Sequence, residues 1–415
     1  MYIYVKMSKI ILQVYFLFMG VILVFSTVAE KSWMKQNHFS ITETMCIDLL
    51  SNLAWAPFLR IPFGDFSDRI STRVHTRKQL IVMLLFAVVS WVGVCLSLNR
   101  WVVICFLTLG RFGTAFGITI LDAEMIRFSK KHEEIITPKC IRARTVGVIA
   151  SSFCSGWLLT TSTERVVFSV QTILCFIYAC IVSLVYCCEN NTTDYSSVNQ
   201  QEEEGEKETE PLAPPKTFCS FLQDPFIVFL SLTAILPNFD MSVFYFIFGP
   251  LHISPIQLSR IEIASGVVSI LMTFLPVSLF QSYRRNLFHY AWITSFMNVT
   301  LLAFITRILI RYISDMRCLL VLSLLGESME SLLMNSYAVY STEKSSTKDA
   351  AKSFATYMSI PSACSFISGV LGSLLNHVYD VDHGNFNHLP HLLVIYCSCF
   401  YIPFLYSFRF LSHEA

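Results

Sequence analysis

Residues 225–250 read PFIVFLSLTAILPNFDMSVFYFIFGP, and Asp240 is the one charged residue among them. A helix needs about 20 predominantly apolar residues to cross roughly 30 Å of hydrocarbon, so the stretch reads as a membrane span. A carboxylate at the bilayer centre costs at least about 2.5 kcal/mol even on insertion scales. Asp240 therefore marks either a polar cavity or a buried ion pair with an arginine of another helix. Pro237, one turn earlier, frees a backbone carbonyl and predicts a local break there.

The rest of the chain has the same character. Of 415 residues, 54% are hydrophobic and 14% charged, and the mean hydropathy is +0.57, which places the chain in lipid. Twelve apolar stretches are bounded by charged or turn-forming residues: about 9–29, 44–63, 79–98, 101–126, 142–161, 165–188, 223–248, 256–280, 287–309, 317–340, 353–376 and 389–410. Between the sixth and seventh lies an acidic, Ser/Thr/Gln-rich segment ending in a Pro cluster. It has too little apolar surface to bury a core. The expected organisation is a six-helix half over residues 1–188, a disordered cytoplasmic linker over 189–220 and a second six-helix half over 221–415.

Basic residues set the expected orientation. With the N-terminus inside, twenty Lys or Arg residues fall on the inner side, and only Lys31, Lys35, Arg100, Arg165, Arg307, Arg311 and Arg317 fall outside. The positive-inside rule then puts both termini in the cytoplasm. A cleaved signal peptide is the competing reading of the first span, since Thr27-Val28-Ala29 loosely resembles a cleavage site. The net charge of +1 gives no reason to expect a nucleic-acid partner. The fourteen cysteines show no metal-ligand spacing and read as packing residues. No phosphate loop, HExxH or GxSxG is present, so neither an enzyme nor a cofactor is expected.

Two motifs carry more information. PFGDFSDRISTR (residues 62–73) resembles the loop signature of the major facilitator superfamily at Gly64, Asp68, Arg69 and Arg73, with Ser71 where a second glycine is common. Such a glycine permits close helix approach, and such a carboxylate can face the positive end of a neighbouring helix. LPNFDMSVFYFIFGPLHISPIQLSRIEI (residues 236–263) resembles the folate-biopterin transporter family at Pro237, Asp240, Phe244-Tyr245-Phe246, Ser254-Pro255 and Leu258-Ser259-Arg260. Weaker echoes occur in WAPFLRIPFGDFSD with Arg60, ITILDAEMIR with Asp122, and KSFATYMSIPSACSFISGVLGSLL. Met241 stands where many members carry a second aspartate.

The resemblance implies an all-α, twelve-span carrier of the major facilitator type, with two six-helix bundles and multi-pass residence in the plasma membrane or an organelle membrane. Its partners would be the lipid bilayer and a folate- or pteridine-like small molecule, and proton coupling is left open. A pteridine calls for aromatic faces, a carboxylate for its N–H donors and an arginine for an anionic tail. Asp240, Phe244, Tyr245, Arg111, Arg260 and Asp122 are the candidates of those types. Arg111 and Asp122 are expected to share a helix face, as are Glu327 and Glu330. Arg60, Arg260 and Glu262 near helix ends are accounted for by snorkelling. A carrier of another small metabolite, a channel and a non-transporting sensor are the alternative functions.

Overall fold

A computed structural model describes residues 2–55, 57–71, 76–132, 136–193, 225–237, 239–248, 254–274, 324, 331, 334, 337–345, 349–382, 385–399, 401–403 and 405–406. The ninth expected span, most of the tenth with Glu327 and Glu330, and Arg73 lie outside them. Among the described residues the only β pairing is the isolated bridge between Asp382 and Asn385. Five helical stretches are long and apolar enough to cross a bilayer: Lys9–Gln36, Thr76–Leu96, Arg100–Lys131, Glu164–Cys188 and Ala350–Val378.

The first span is α1 (Tyr2–Val24) continued, after a turn at Phe25 and Ser26, by α2 (Thr27–Gln36). α1 is built into the core, with Tyr15, Phe16, Met19 and Ile22 buried. Two buried side chains donate to carbonyls at the end of α1, where Val21 O also accepts from the backbone N–H of Phe25. Gln171 Nε2 donates to Ile22 O and Ser151 Oγ to Val21 O.

The second expected span is not one helix. It consists of α3 (Ile41–Asn52), a 3₁₀ turn (Leu53–Trp55) and α4 (Pro57–Ser71). α3 starts with a capping box between Ser40 and Glu43. Pro57 disfavours helical geometry in the residue before it and fits the first helical turn, where its missing N–H is no loss. The chain thus breaks inside the span, with Arg60 one turn beyond the break.

Next come α5 (Thr76–Leu96), α6 (Arg100–Lys131), α7 (Thr137–Thr161) and α8 (Glu164–Thr193). α5 is apolar all round. Leu80, Leu84, Ala87, Trp91 and Val94 are buried, whereas Val82, Leu85, Phe86, Val89, Val92 and Leu96 are exposed. Both sets repeat at three- and four-residue intervals, so one face packs inward and the other suits lipid chains. α8 runs to Thr193, past the 188 boundary expected for the linker. The rest of the expected linker lies outside the described residues.

The seventh expected span is also two helices, α9 (Pro225–Ala234) and α10 (Asp240–Phe248), with Pro237 between them. Asp240 therefore opens a helix rather than lying deep within one. α11 (Pro255–Met272) has its own capping box at Ser254 and Gln257, and α12 (Ala350–Val378) and α13 (Leu389–Cys399) follow. The amino-terminal helices meet the carboxy-terminal ones chiefly where α12 packs on α4 and α3, and where α7 packs on α11.

Glycines set the closest approaches. A Cβ at Gly20 would collide with the carbonyl of Arg144, and one at Gly147 with the carbonyl of Leu17, so α1 and α7 touch backbone to backbone. The small-residue face expected on α12 lies against neighbours: a Cβ on Gly369 would meet Leu49 of α3, and Ser368 Oγ donates to Leu236 O.

Candidate functional site

The break between α3 and α4 places Arg60 where it is only 3% exposed. Its Nη2 donates to Asp122 Oδ2 of α6 at 3.1 Å and its Nε to Thr119 Oγ1 at 3.4 Å. The ring of Trp55, from the 3₁₀ turn, lies 5.1 Å from the guanidinium carbon. Snorkelling does not describe Arg60, which is a buried partner of Asp122. An arginine is stable there because the carboxylate, a hydroxyl and an aromatic face replace the water it has lost. Arg144 of α7 lies within electrostatic reach of both members of the pair.

Arg111 does not meet Asp122. Eleven residues along a helix is about 16 Å, and each residue turns to a different neighbour. Arg111 Nε and Nη2 donate to Glu30 Oε2 of α2 at 3.0 and 2.6 Å, and Ser26 Oγ donates to Glu30 Oε1 at 2.6 Å. Glu30 is 3% exposed. It escaped the sequence reading because it falls one residue past the expected end of the first span.

Asp68 lies at the end of α4. Its carboxylate accepts from the backbone N–H of Ala351 at 3.2 Å and of Lys352 at 2.9 Å, the first turn of α12. Arg127 of α6 adds an ion pair at 2.9 Å. One side chain therefore occupies the positive end of a helix from the other part of the chain. Burial pushes its carboxyl above the usual carboxylate range, against the lowering pull of those amides and of Arg127. Gly64, one turn earlier, permits the approach, since a Cβ there would lie 2.9 Å from Ala351 O. Asp65 bridges Lys352 at 2.8 Å and Arg69 at 2.6 Å, and chiefly the hydrogen bond from Lys352 lowers its carboxyl below the usual range. Arg69, 78% exposed, adds little, as exposed pairs contribute about 0–1 kcal/mol. Nearby, Lys130 Nζ donates to Glu343 O at 2.8 Å, and Thr137 and Thr342 share a hydrogen bond at 3.0 Å.

The opposite end is closed by the same helices with the roles exchanged. Asp382, just after α12, accepts from the backbone N–H of Ile41 at 3.2 Å, the first residue of α3. A cleft of about 420 Å³ beside it is lined by Ser40, Glu43, His377 and Asp380. Tyr245 of α10 is buried, with its hydroxyl 3.3 Å from Lys31 O and 3.4 Å from Thr44 Oγ1. Lys31 Nζ sits 4.7 Å from the centroid of the Phe244 ring. Asn376 Nδ2 reaches Met45 Sδ at 3.2 Å, and Met241 packs with Ile41, Met45 and Tyr245.

The structure thus brings the expected candidates to separate places. Asp122 is in the Arg60 pair, Arg111 is with Glu30, and Phe244 and Tyr245 belong to the closure at the Asp382 end. Arg260 is exposed on α11. Asp240 is placed by its backbone at the start of α10, and its side chain lies outside the described ones. Arg60, Glu30 and Arg144 are the polar groups the sequence reading had not chosen. The signal for Arg60 and Arg144 was present, as each is an arginine inside or at the edge of an apolar stretch.

This chain is similar in structure to the human organic anion transporter MFSD10 (TETRAN), with TM-score 0.62, 10% identity, and 96% of this chain and 98% of that one covered. It is similar also to a D-xylose-proton symporter, with TM-score 0.67, 12% identity and coverage of 99% and 98%. The proton:xylose symporter XylE bound to 6-bromo-6-deoxy-D-glucose gives TM-score 0.61, 12% identity and coverage of 98% and 95%. The fold is that of the major facilitator superfamily, and the molecule is a multi-pass membrane transporter. Residues 19–412 match the BT1 family, the folate-biopterin transporters, and the chain belongs to that family. No curated protein sequence matches it.

Proposed function

We propose that this chain carries a folate, a biopterin or a related pteridine across the membrane by alternating access. The observation that supports this most is the buried Arg60–Asp122 pair at a break in a span, lying between two closures that join α3 and α4 to α12. Midplane polar sites at broken helices, gated at each end, are how carriers of this kind expose a site to one side at a time. Asp122, with Asp240 at the other helix break, is proposed to face the substrate ring. Phe244 and Tyr245 would shut the site from the Asp382 end.

The Asp68 end, which holds Arg127, Lys130 and Lys352, is proposed to be cytoplasmic, together with both termini. Proton coupling is also proposed, with Glu30 as the group that exchanges the proton against Arg111. Two carriers of similar fold are named as proton symporters. Purified protein in liposomes, loaded with unlabelled folate or biopterin, should take up labelled pteridine in counterflow and saturate. Binding without counterflow would leave a sensor, and flux without saturation a channel. Imposing an acidic exterior should accelerate net uptake in the wild type and not in Glu30→Gln.

A further inference from the structure

Arg144 is the eighth residue of α7, and its carbonyl is pressed against Gly20 of α1. Among the described residues its guanidinium has no ion-pair or hydrogen-bond partner, although the side chain is half-buried. An arginine without a counter-ion inside a span is costly and normally marks a ligand pathway. Its surroundings do not balance it. Arg60 is paired with Asp122 at 3.1 Å, and Arg144 lies within electrostatic reach of both. Cys140, which feels both Asp122 and Arg144, also feels the cations Lys139 and Lys9, while Arg77 and Glu124 act in opposite senses on Tyr15. Among the described residues, the groups around Asp122 therefore carry more positive than negative charge.

Arg60 also has capacity to spare. A guanidinium carries five N–H donors, and the hydrogen bonds of Arg60 use one from Nη2 and one from Nε. Two arginines, from α4 and α7 and within electrostatic reach of each other, suit a carboxylate, which guanidinium groups hold bidentately. Neutral rings would leave the surplus charge in place.

We infer that Arg144 and Arg60 form the receiving site for the substrate's carboxylate, so that the carried species is an anionic, carboxylated pteridine rather than an uncharged one. This rests on the pteridine reading above. The empty site bears a net positive charge, and one carboxylate of the substrate's tail offsets it. Neutralisation lowers the cost of closing the site around its load, so transport is selective for the charged form.

The test is counterflow in liposomes with folate as the carboxylated probe and biopterin as the uncharged one, in wild type, Arg144→Gln and Arg144→Lys. Wild type should prefer folate at least tenfold. Arg144→Gln should lose tenfold or more in apparent affinity for folate while any weak biopterin exchange is unchanged, and Arg144→Lys should recover part of the loss. Equal use of folate and biopterin by wild type would overturn the inference, as would an equal fall for both in Arg144→Gln. If neither pteridine exchanges in wild type, the pteridine reading fails. The anion site is then decided by thermal stabilisation with p-aminobenzoylglutamate at fixed ionic strength. Stabilisation of wild type but not of Arg144→Gln upholds it, and no stabilisation of either overturns it.

Discussion

At the scale of single residues, the carboxylates Asp68 and Asp122 do different jobs, and their partners distinguish them. Asp68 takes two amides of α12, so Asp68→Asn should release the closure at that end. The expected shift is about 2 kcal/mol, or roughly thirtyfold in population toward the form open there. Reagent accessibility of a cysteine placed near Glu343 would report it, while ligand affinity in detergent should change little. Asp122 is different, because removing one member of a buried pair strands the other. Arg60→Met should destabilise by about 3–5 kcal/mol, whereas Arg60→Met combined with Asp122→Leu should regain most of that stability and still not transport. Melting temperature and uptake measured side by side would separate the two effects. Sequence spacing alone made Asp68 legible, since its motif is local. It did not reveal the Arg60–Asp122 or Arg111–Glu30 pairs. Helical periodicity fixes which residues share a face, but the identity of the facing helix depends on packing across 62 and 81 residues of chain.

At the scale of helices, the notable feature is that the second and seventh expected spans are each two shorter helices. The second of these breaks was readable from Pro237. The first was not read because residues 44–63 are apolar enough on average to pass as one span despite Asp48 and Arg60, and Pro57 passed as part of the run. Close packing makes α4 and α12 sensitive to volume. Gly64→Val would drive side-chain atoms into the Ala351 carbonyl, so it should open the Asp68 end as Asp68→Asn does, without touching any charge. Spin labels on α4 and α12 at that end should separate in both variants. An unchanged distance in Gly64→Val would mean that the glycine does not hold the closure. Asp382→Ala should have the mirror effect, raising accessibility near Ile41 by a few-fold and leaving the Asp68 end shut. The effect is smaller because Asp382 is exposed, where water competes for the Ile41 amide.

At the scale of the whole molecule, composition alone made the membrane class legible, and the two family motifs made the fold legible. What composition could not assign was which face of each helix looks inward. α5 shows why: its lipid face and its core face are equally apolar, so the usual amphipathic signal disappears. Sidedness is the matching prediction. A cysteine replacing Lys131 should react with a membrane-impermeant reagent only after the cytoplasmic side is exposed, and one replacing Lys35 should react from outside.

The exchanged caps also have an electrical consequence. Each end is shut by its own carboxylate on its own helix start, so loosening one leaves the other intact. On the alternating-access cycle proposed above, turnover would pass through a form sealed on both sides, with no continuous aqueous path. Ions would then gain no leak through it, and a gradient across its membrane would survive each such cycle.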